Sequence, residues 1–309
     1  MPAATVISVA ALGVVTRAWV YGDPEGQPIV LVHGFRGDHH GLEKIALELA
    51  ERLPRAAVIV PDLPGFGETP AVPGREHTID LYGEWLGEFI TELAPEGTQL
   101  LLGHSFGSIV VANALQQGLG PERVVLVNPI SAPALEGPKA LLTRLSSFYY
   151  RAAERLPERT SRALLSNPLI VRGMSEVMAK TRDMSLRGWI HGQHAAYFSQ
   201  FSDATTLLEA YNASISHTVA EYAEAFTAPT LLIAGERDDI TPLAKQLDLQ
   251  RSIPGSELRI LQGTGHLVHY EAAEDAAGYI EAFLAKPSAT SVTKRSSTRR
   301  RRAAGERGA

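Results

Sequence analysis

Short apolar runs alternate with longer amphipathic stretches along most of this chain, and this alternation constrains the fold more than any other feature. Residues 28–32 form a continuous apolar run, as expected of a strand buried on both faces of a sheet. Residues 41–53 follow as a predicted helix, because Leu42, Ile45 and Leu49 recur near helical spacing. Strands that alternate with helices of this length indicate parallel βαβ units, so the sequence predicts an α/β fold with a mostly parallel, doubly wound sheet.

The predicted elements begin with an N-terminal β-hairpin, whose second arm covers the roughly alternating residues 15–21. The predicted strands that follow cover residues 28–32, 56–60, 99–102, 123–127, 229–234 and 257–261. The predicted helices of this pattern cover residues 41–53, 78–93, 106–117, 243–252 and 272–285.

The alternation stops between residues 131 and 227, where no short β-branched run occurs. We therefore predict an α/β core formed by residues 1–130 and 228–286, with residues 131–227 as a helical insertion. The insertion contains ten of the chain's 21 aromatic residues, which either line an apolar pocket or pack the insertion's own small core. Its predicted helices cover residues 140–156, 161–165, 171–180 and 204–222.

Charge is distributed unevenly along the chain. The residues from 287 onward carry seven basic side chains and one acidic one, a net charge of +6, which leaves −11 on the rest of a chain whose total is −5. An acidic body argues against nucleic-acid binding by the folded part. The tail, residues 287–309, is rich in Ser, Thr and Arg and is predicted to be disordered, without a committed lipid or nucleic-acid partner.

The chain contains no cysteine, which excludes disulfides, thiolate zinc sites, Fe–S clusters and a cysteine nucleophile. No apolar run approaches the roughly 18 residues that a transmembrane helix needs. No basic residue precedes the apolar residues 6–15, whereas a secretory signal has a positive region there. We therefore predict a cytoplasmic protein without a membrane span.

The residues Gly-His-Ser-Phe-Gly at positions 103–107 lie between a predicted buried strand and a predicted helix. A sharp strand-to-helix turn exposes its central residue, and flanking glycines allow neighbouring backbone to come close. Ser105 would then project over the N-terminus of a helix, where backbone N–H groups favour developing negative charge. A tight turn with an N-capping serine is the alternative interpretation of this pattern alone.

A serine nucleophile needs a base, and the base needs a carboxylate that orients it. His266 and Asp238 each follow a predicted strand, so both lie at the sheet edge where open α/β sheets place ligands. Asp239 remains an alternative for the acid, and the alternatives for the base are His269, His39 and His40.

The sequence resembles the α/β-hydrolase fold superfamily over nearly the whole chain before the tail. Besides the serine turn, the resemblance rests on His33-Gly34-Phe35 and on the loops at residues 62–67, 235–242 and 263–266. The chain order Ser105, Asp238, His266 is also the order of nucleophile, acid and base in these hydrolases.

The resemblance has further implications for the site. It implies that the backbone N–H groups of Phe35 and Phe106 form an oxyanion hole, and that residues 131–227 form a lid over the site. It favours Asp238 over Asp239, because the acid of this superfamily usually stands third after the glycine. It requires no metal and no organic cofactor, only a small-molecule substrate.

Serine at the turn argues against relatives that look like dehalogenases or epoxide hydrolases, which carry aspartate there. A carboxylesterase that cleaves a small or medium, fairly apolar ester through an acyl-enzyme is the preferred prediction. The alternatives are a C–C bond hydrolase of ring-fission products and a ligand receptor or binding protein on the same fold. Five arginines of the insertion offer partners for a substrate carboxylate, although a solvated helix face explains them better: Arg144, Arg151, Arg155, Arg159 and Arg162.

The histidines show no HExxH zinc motif. His191 and His194 stand three residues apart, and we predict that they lie on the surface and do not bind a metal.

Overall fold

The computed structural model of the 309-residue chain describes residues 4–132 and 148–287. Part of the predicted helix 140–156, together with Arg144 and nearly all of the basic tail, lies outside the described residues. Among the described residues, no helix combines the length and the apolar character needed to cross a membrane.

One mixed sheet forms the centre of the molecule. Its strands are β1 (Thr5–Ala11), β2 (Val14–Gly22), β3 (Gln27–Val32), β4 (Ala56–Pro61), β5 (Leu100–His104), β6 (Val124–Val127), β7 (Thr230–Gly235) and β8 (Glu257–Leu261). They are ordered β1-β2-β4-β3-β5-β6-β7-β8. The pairs β1–β2 and β2–β4 are antiparallel and the remaining pairs are parallel, which confirms the predicted α/β fold.

Helices follow the strands as the sequence predicts. The helices of the core are α1 (His39–Arg52), α2 (Ile79–Leu93), α3 (Phe106–Gln116), α9 (Leu243–Ser252), α10 (Val268–Glu271) and α11 (Ala273–Leu284). The helices of the insertion are α4, of which residues 148–154 are described, α5 (Glu158–Leu165), α6 (Pro168–Met178), α7 (Met184–Tyr197) and α8 (Ala204–Ser216). A 3₁₀ helix, Val219–Ala225, completes the insertion.

The core lies on both faces of the sheet, and β3 shows why its sequence is continuously apolar. Ile29 and Leu31 pack into a cluster with helices α1 and α11. Val30 and Val32, which point to the other face, pack into a cluster with α2 and α3. Since successive side chains of a strand point to opposite faces, a strand covered on both sides has no polar positions to alternate with.

The insertion differs from the sequence prediction in two places. Helix α7 was not predicted, because Gly188 and Gly192 lower the helix propensity of a segment that depends on tertiary packing. The predicted helix 204–222 is wrong as a single element: α8 ends at Ser216 and a 3₁₀ turn begins at Val219. Thr218 and Glu221 form a capping box there, which starts a new helical turn and ends the old one.

Candidate active site

Ser105 occupies the turn between β5 and α3 with a strained backbone, φ 52° and ψ −118°. The two glycines of the pattern are required by close approach of neighbouring backbone. A Cβ atom at Gly107 would lie 2.3 Å from the carbonyl oxygen of Val32, and one at Gly103 would lie 2.4 Å from the oxygen of Gly107. The geometry of the turn therefore accounts for the whole Gly-His-Ser-Phe-Gly pattern. The positive φ of Ser105 is energetically unfavourable, and strained backbone of this kind is concentrated at functional sites.

The structure brings together the three residues that the sequence proposed as nucleophile, base and acid. The Nε2 atom of His266 lies 2.8 Å from the Oγ atom of Ser105. Its Nδ1 atom lies 2.8 Å from the Oδ2 atom of Asp238. Ser105, His266 and Asp238 follow β5, β8 and β7 at one edge of the sheet. The order of the strands therefore brings these three residues together although they are far apart in the sequence.

The alternatives for acid and base occupy other positions. Asp239 forms an ion pair with Lys180, at 2.5 Å between the carboxylate and the ammonium group. His269 packs against His104, with 4.1 Å between ring centroids. Burial lowers the pKa of both imidazoles, that of His104 to about 3, so both rings are neutral at physiological pH.

Three residues besides His266 hold the carboxylate of Asp238. Its Oδ2 atom accepts hydrogen bonds from Asn128 at 2.8 Å and from the hydroxyl of Thr241 at 2.9 Å, and its Oδ1 atom accepts from the backbone amide of Ile240 at 2.8 Å. Burial by itself raises the pKa of the Asp238 carboxyl, but neighbouring His266 and the donated hydrogen bonds outweigh burial and hold that pKa below its usual value. No local sequence pattern marks Asn128 as part of this site.

The loop after β3 lies directly beside the serine turn. A Cβ atom placed on Gly34 would be 3.2 Å from the Cβ atom of Ser105, so the backbone that carries Phe35 approaches the proposed nucleophile closely. Phe106 is the first residue of α3, and first-turn amides of a helix have no acceptor within the helix. Both predicted oxyanion residues thus flank Ser105, and their role stays a prediction.

His33 holds this loop in place through both ring nitrogens. The amide of Leu63 donates to its Nε2 atom at 2.9 Å, so the proton of the neutral ring lies on Nδ1, which donates to the carbonyl of Gly34 at 2.9 Å. Burial lowers the pKa of His33 and keeps the ring neutral, as this pair of contacts requires.

A cavity of about 670 Å³ opens at this edge, and Ser105 and His266 form part of its wall. The insertion supplies much of the rest, including Tyr149, Tyr150, Ile170, Met174, Phe198 and Tyr211. Other aromatic residues of the insertion, Phe201 and Phe226, are buried in the main core instead. The pocket interpretation therefore holds for the first set. Phe201 and Phe226 do not pack a separate core of the insertion, because they share one cluster with residues of α2 and α3 and with Tyr150 and Tyr211.

The prediction that His191 and His194 lie on the surface is wrong. They are 6% and 2% exposed, and their Nδ1 atoms lie 2.6 and 2.7 Å from the hydroxyl of Ser175. Their spacing places both on the face of α7 that packs against α6, which the sequence did not reveal because α7 itself was missed. Burial lowers the pKa of His194 to about 4, so the contact is one between neutral groups.

The arginines of the insertion do not face the cavity. Four of the five arginines proposed as carboxylate partners are described, and their side chains are exposed, as the solvated-face interpretation predicts: Arg151, Arg155, Arg159 and Arg162. The cavity wall instead contains Arg36, which is only 3% exposed and was not among the predicted site residues. Nothing local marks Arg36 as buried, since the groups that cover it lie more than 100 residues away.

One group of side chains among those described has metal-ligating atoms within 4.8 Å of one another: Asp38, His39 and His40. One nitrogen of each ring is already engaged, because Nδ1 of His39 lies 3.0 Å from Asp62 and Nδ1 of His40 lies 3.2 Å from Asp38. Asp38 also caps α1 by accepting from the amide of His40. These contacts account for the three side chains by their structural role at the N-terminus of α1, without a metal ion.

A family model described as the alpha/beta hydrolase family matches residues 29–279. The chain belongs to this family. Among solved structures, this alpha/beta hydrolase is similar to a thermophilic esterase from Thermogutta terrifontis, with a TM-score of 0.71, 24% identity and coverage of 91% of this chain and 98% of that one.

Among curated relatives, the hydrolase is 26% identical over 286 residues to a 2-hydroxymuconate semialdehyde hydrolase from Pseudomonas sp. (strain CF600), with coverage of 90% of this chain and 93% of the relative. It is also 26% identical over 248 residues to a pimeloyl-[acyl-carrier protein] methyl ester esterase from Aeromonas salmonicida, with coverage of 78% and 89%. These relatives support a hydrolase on this fold.

Proposed function

We propose that this protein is a serine hydrolase that cleaves a small or medium, fairly apolar carboxylic ester through an acyl-enzyme intermediate. The observation that carries the proposal is the chain of contacts from Ser105 through His266 to Asp238 at the wall of the cavity. A serine hydroxyl is a weak nucleophile, and a base within hydrogen-bond reach that is itself oriented by a carboxylate is the arrangement that activates it.

In the proposed reaction, Ser105 attacks the ester carbonyl while His266 takes its proton on Nε2. Asp238 accepts from Nδ1, which keeps the imidazole in the tautomer with a free Nε2 lone pair and stabilises the imidazolium that forms. His266 then gives the proton to the departing alcohol. Water attacks the acyl group with His266 again as base, which releases the acid and restores Ser105.

The amides of Phe35 and Phe106 are proposed to bind the oxyanion of each tetrahedral intermediate. Loss of one such donor typically costs about 3 kcal/mol of transition-state stabilisation. The placement of Gly34 against Ser105 and of Phe106 at the start of α3 supports this assignment.

The insertion, residues 131–227, is proposed to act as the lid. Its aromatic and aliphatic side chains line the cavity, which favours an apolar acyl or alcohol group. A volume of about 670 Å³ lies within the ordinary range for small-molecule sites and suits an ester of medium size.

Cleavage of a C–C bond is the second candidate, because the 2-hydroxymuconate semialdehyde hydrolase is among the relatives. The four described arginines that the sequence offered as partners for a substrate carboxylate do not support it, since they are exposed and do not line the cavity. The ester hydrolase therefore remains the preferred function.

The proposal is tested with a fluorophosphonate probe and p-nitrophenyl esters of increasing acyl length, applied to the wild type and to Ser105→Ala. Labelling and turnover that both disappear in the variant support a serine esterase, and the preferred acyl length measures the pocket. Labelling without ester turnover favours C–C cleavage or a ligand-binding protein on this fold. Absence of labelling in the folded wild type contradicts the assignment of the site.

Asp238→Asn and Asp239→Asn form a matched pair for the acid. We expect a loss of about 10⁴-fold in kcat for Asp238→Asn, because an amide at this position stabilises the wrong tautomer of His266. Asp239→Asn is expected to lose far less, since its carboxylate pairs with Lys180. The reverse order would assign the role to Asp239.

A further inference from the structure

Arg36 is a buried cation in the wall of the cavity, and its contacts are unusual for a buried charge. Its guanidinium donates to the carbonyl of Phe198 at 3.1 Å, to the hydroxyl of Tyr150 at 3.2 Å and to the carbonyl of Leu165 at 2.6 Å. All three acceptors belong to the insertion and all are uncharged. Buried charges in proteins are normally paired, so these acceptors must offset the cost of burying the guanidinium in another way.

The two carbonyls lie at the ends of helices. Leu165 is the last residue of α5, and Phe198 is the residue that caps the C-terminus of α7. The last carbonyls of a helix have no partner within it and carry the partial negative charge of the helix dipole. The guanidinium also lies 5.6 Å from the ring centroid of Phe198 and 5.9 Å from that of Phe201, at distances typical of cation–π contacts. The carbonyls at two helix ends and the faces of two aromatic rings therefore stabilise the buried guanidinium, a role that a carboxylate usually has.

The backbone of Arg36 is strained next to the proposed oxyanion residue Phe35. Its φ is 61°, and the amide of Gly37 donates to the carbonyl of Gly34 at 3.0 Å, which closes a four-residue turn. The third position of such a turn favours glycine when φ is positive. An arginine persists in this conformation only when its surroundings hold it there, and the insertion provides that hold through the guanidinium.

We infer that Arg36 is a positioning residue that couples the docking of the insertion to the geometry of the oxyanion loop. The inference rests on the proposed function. With the insertion in place, the helix ends of α5 and α7 fix the side chain, and the turn from Gly34 to Gly37 presents the Phe35 amide beside Ser105. Without these contacts, the turn loses its anchor and the oxyanion donor loses its alignment.

The test compares Arg36→Met and Arg36→Lys with Arg162→Met. Arg162 is the matched control, because it also donates to a carbonyl of the insertion, that of Ser202 at 2.7 Å, and also lies over Phe201, but it is exposed and does not contact the oxyanion loop. The measurements are kcat and KM for a neutral p-nitrophenyl ester, the rate constant of phosphonylation by the fluorophosphonate at saturation, and the melting temperature.

For Arg36→Met we expect a fall of about 10- to 100-fold in kcat and in the phosphonylation rate, with KM within about threefold of the wild-type value, because a misaligned donor affects the transition state more than substrate binding. Arg36→Lys is expected to recover part of the loss, since it keeps the cation but not the fork of donors. Arg162→Met is expected to stay within about twofold of wild type. Arg36→Lys also serves if Arg36→Met does not fold.

Three results would overturn the inference. The first is an unchanged kcat on neutral esters with a raised KM only for esters that bear a carboxylate, which would make Arg36 a substrate-anion site. The second is an equal loss of kcat in Arg36→Met and Arg162→Met, which would indicate general loosening of the insertion. The third is a lowered melting temperature with unchanged kcat. Failure of the proposed function is separate, because it appears as absent labelling in the wild type.

Discussion

The side-chain amide of Asn128 donates a 2.8 Å hydrogen bond to the Oδ2 atom of Asp238, the same oxygen that faces the imidazole of His266. The amide also donates to the carbonyl of Gly265, at 2.9 Å, so Asn128 joins the loops that carry the proposed acid and base. Its own φ is 45°, a conformation that asparagine tolerates better than most residues. Asn128 therefore fixes the relative position of two side chains that lie 28 residues apart in the sequence.

Replacement of Asn128 should weaken both the site and the fold. We expect Asn128→Gly, which accepts the positive φ, to lower kcat about 10- to 100-fold through misplacement of Asp238. Asn128→Ala should do the same and should also cost about 1–3 kcal/mol more in the free energy of unfolding, from backbone strain. Steady-state kinetics and urea unfolding measure the two effects. Equal stability of the two variants would show that strain at this position is negligible.

Glu271 ties the loop before His266 to the insertion. Its carboxylate accepts from the amide of Gly265 at 3.0 Å and from the amides of Lys180 and Thr181 at 2.5 and 2.8 Å. Glu271→Gln replaces one acceptor oxygen by a donor, which leaves a backbone N–H unpaired. We expect a loss of about 1–3 kcal/mol in stability and of about tenfold in kcat.

Glu274→Gln is the control for that change, because Glu274 is 81% exposed and lies 3.8 Å from Arg52 in a surface ion pair. Exposed pairs of this kind contribute about 0–1 kcal/mol. Melting temperatures and ester turnover of the two variants provide the comparison, and similar behaviour would refute a special role for Glu271.

The buried histidines predict that stability falls in mild acid. Burial lowers the pKa of His104 to about 3 and that of His194 to about 4, and burial also holds the pKa of His269 well below its usual value. In the unfolded chain these rings titrate near pH 6.5. Below that pH the unfolded state binds protons that the folded state does not, so the free energy of unfolding decreases from about pH 6.5 towards pH 4, by at most about 1.4 kcal/mol per pH unit for each ring.

His194→Gln removes one of these groups. Between pH 6.5 and pH 4.5 it should reduce the slope of the free energy of unfolding against pH by an amount that corresponds to up to one bound proton. The partly exposed His217 provides the control, through His217→Gln, which should leave the slope nearly unchanged. Urea unfolding at pH 7.5, 6.5, 5.5 and 4.5 gives the slopes. An unaltered slope in His194→Gln would mean that this ring is protonated in the folded protein.

Gly107 is predicted to tolerate no side chain. Because a Cβ atom there would lie 2.3 Å from the carbonyl oxygen of Val32, backbone must move, and we expect Gly107→Ala to lower stability by more than about 2 kcal/mol and to abolish fluorophosphonate labelling. Gly87, in helix α2, has no neighbouring atom within 4 Å of such a Cβ. Gly87→Ala should therefore stabilise the protein by about 0.5–1 kcal/mol. Thermal unfolding and labelling intensity of both variants test this contrast.

The amino-acid sequence by itself determined the α/β fold and identified Ser105, His266 and Asp238 as the candidates for nucleophile, base and acid. Strand β3 was predictable from its sequence. Its successive side chains point to opposite faces of the sheet, so a continuous apolar run indicates a strand that is buried on both faces. Ser105 was predictable because the glycines on either side of it indicate a tight turn with closely packed backbone. The positions of Asp238 and His266 follow from the strands that precede them. These signals lie within a few residues of the feature that they predict.

Tertiary structure alone decided which more distant groups complete the site. The pairing of Asn128 with Asp238 joins residues 110 positions apart, and the contacts of Arg36 with the insertion span 114 to 162 positions. Helix α7 and the burial of His194 likewise depend on packing against α6. Local propensity carries no information on such contacts, because their free energy comes from desolvation and hydrogen bonding between segments that meet only when the chain is folded.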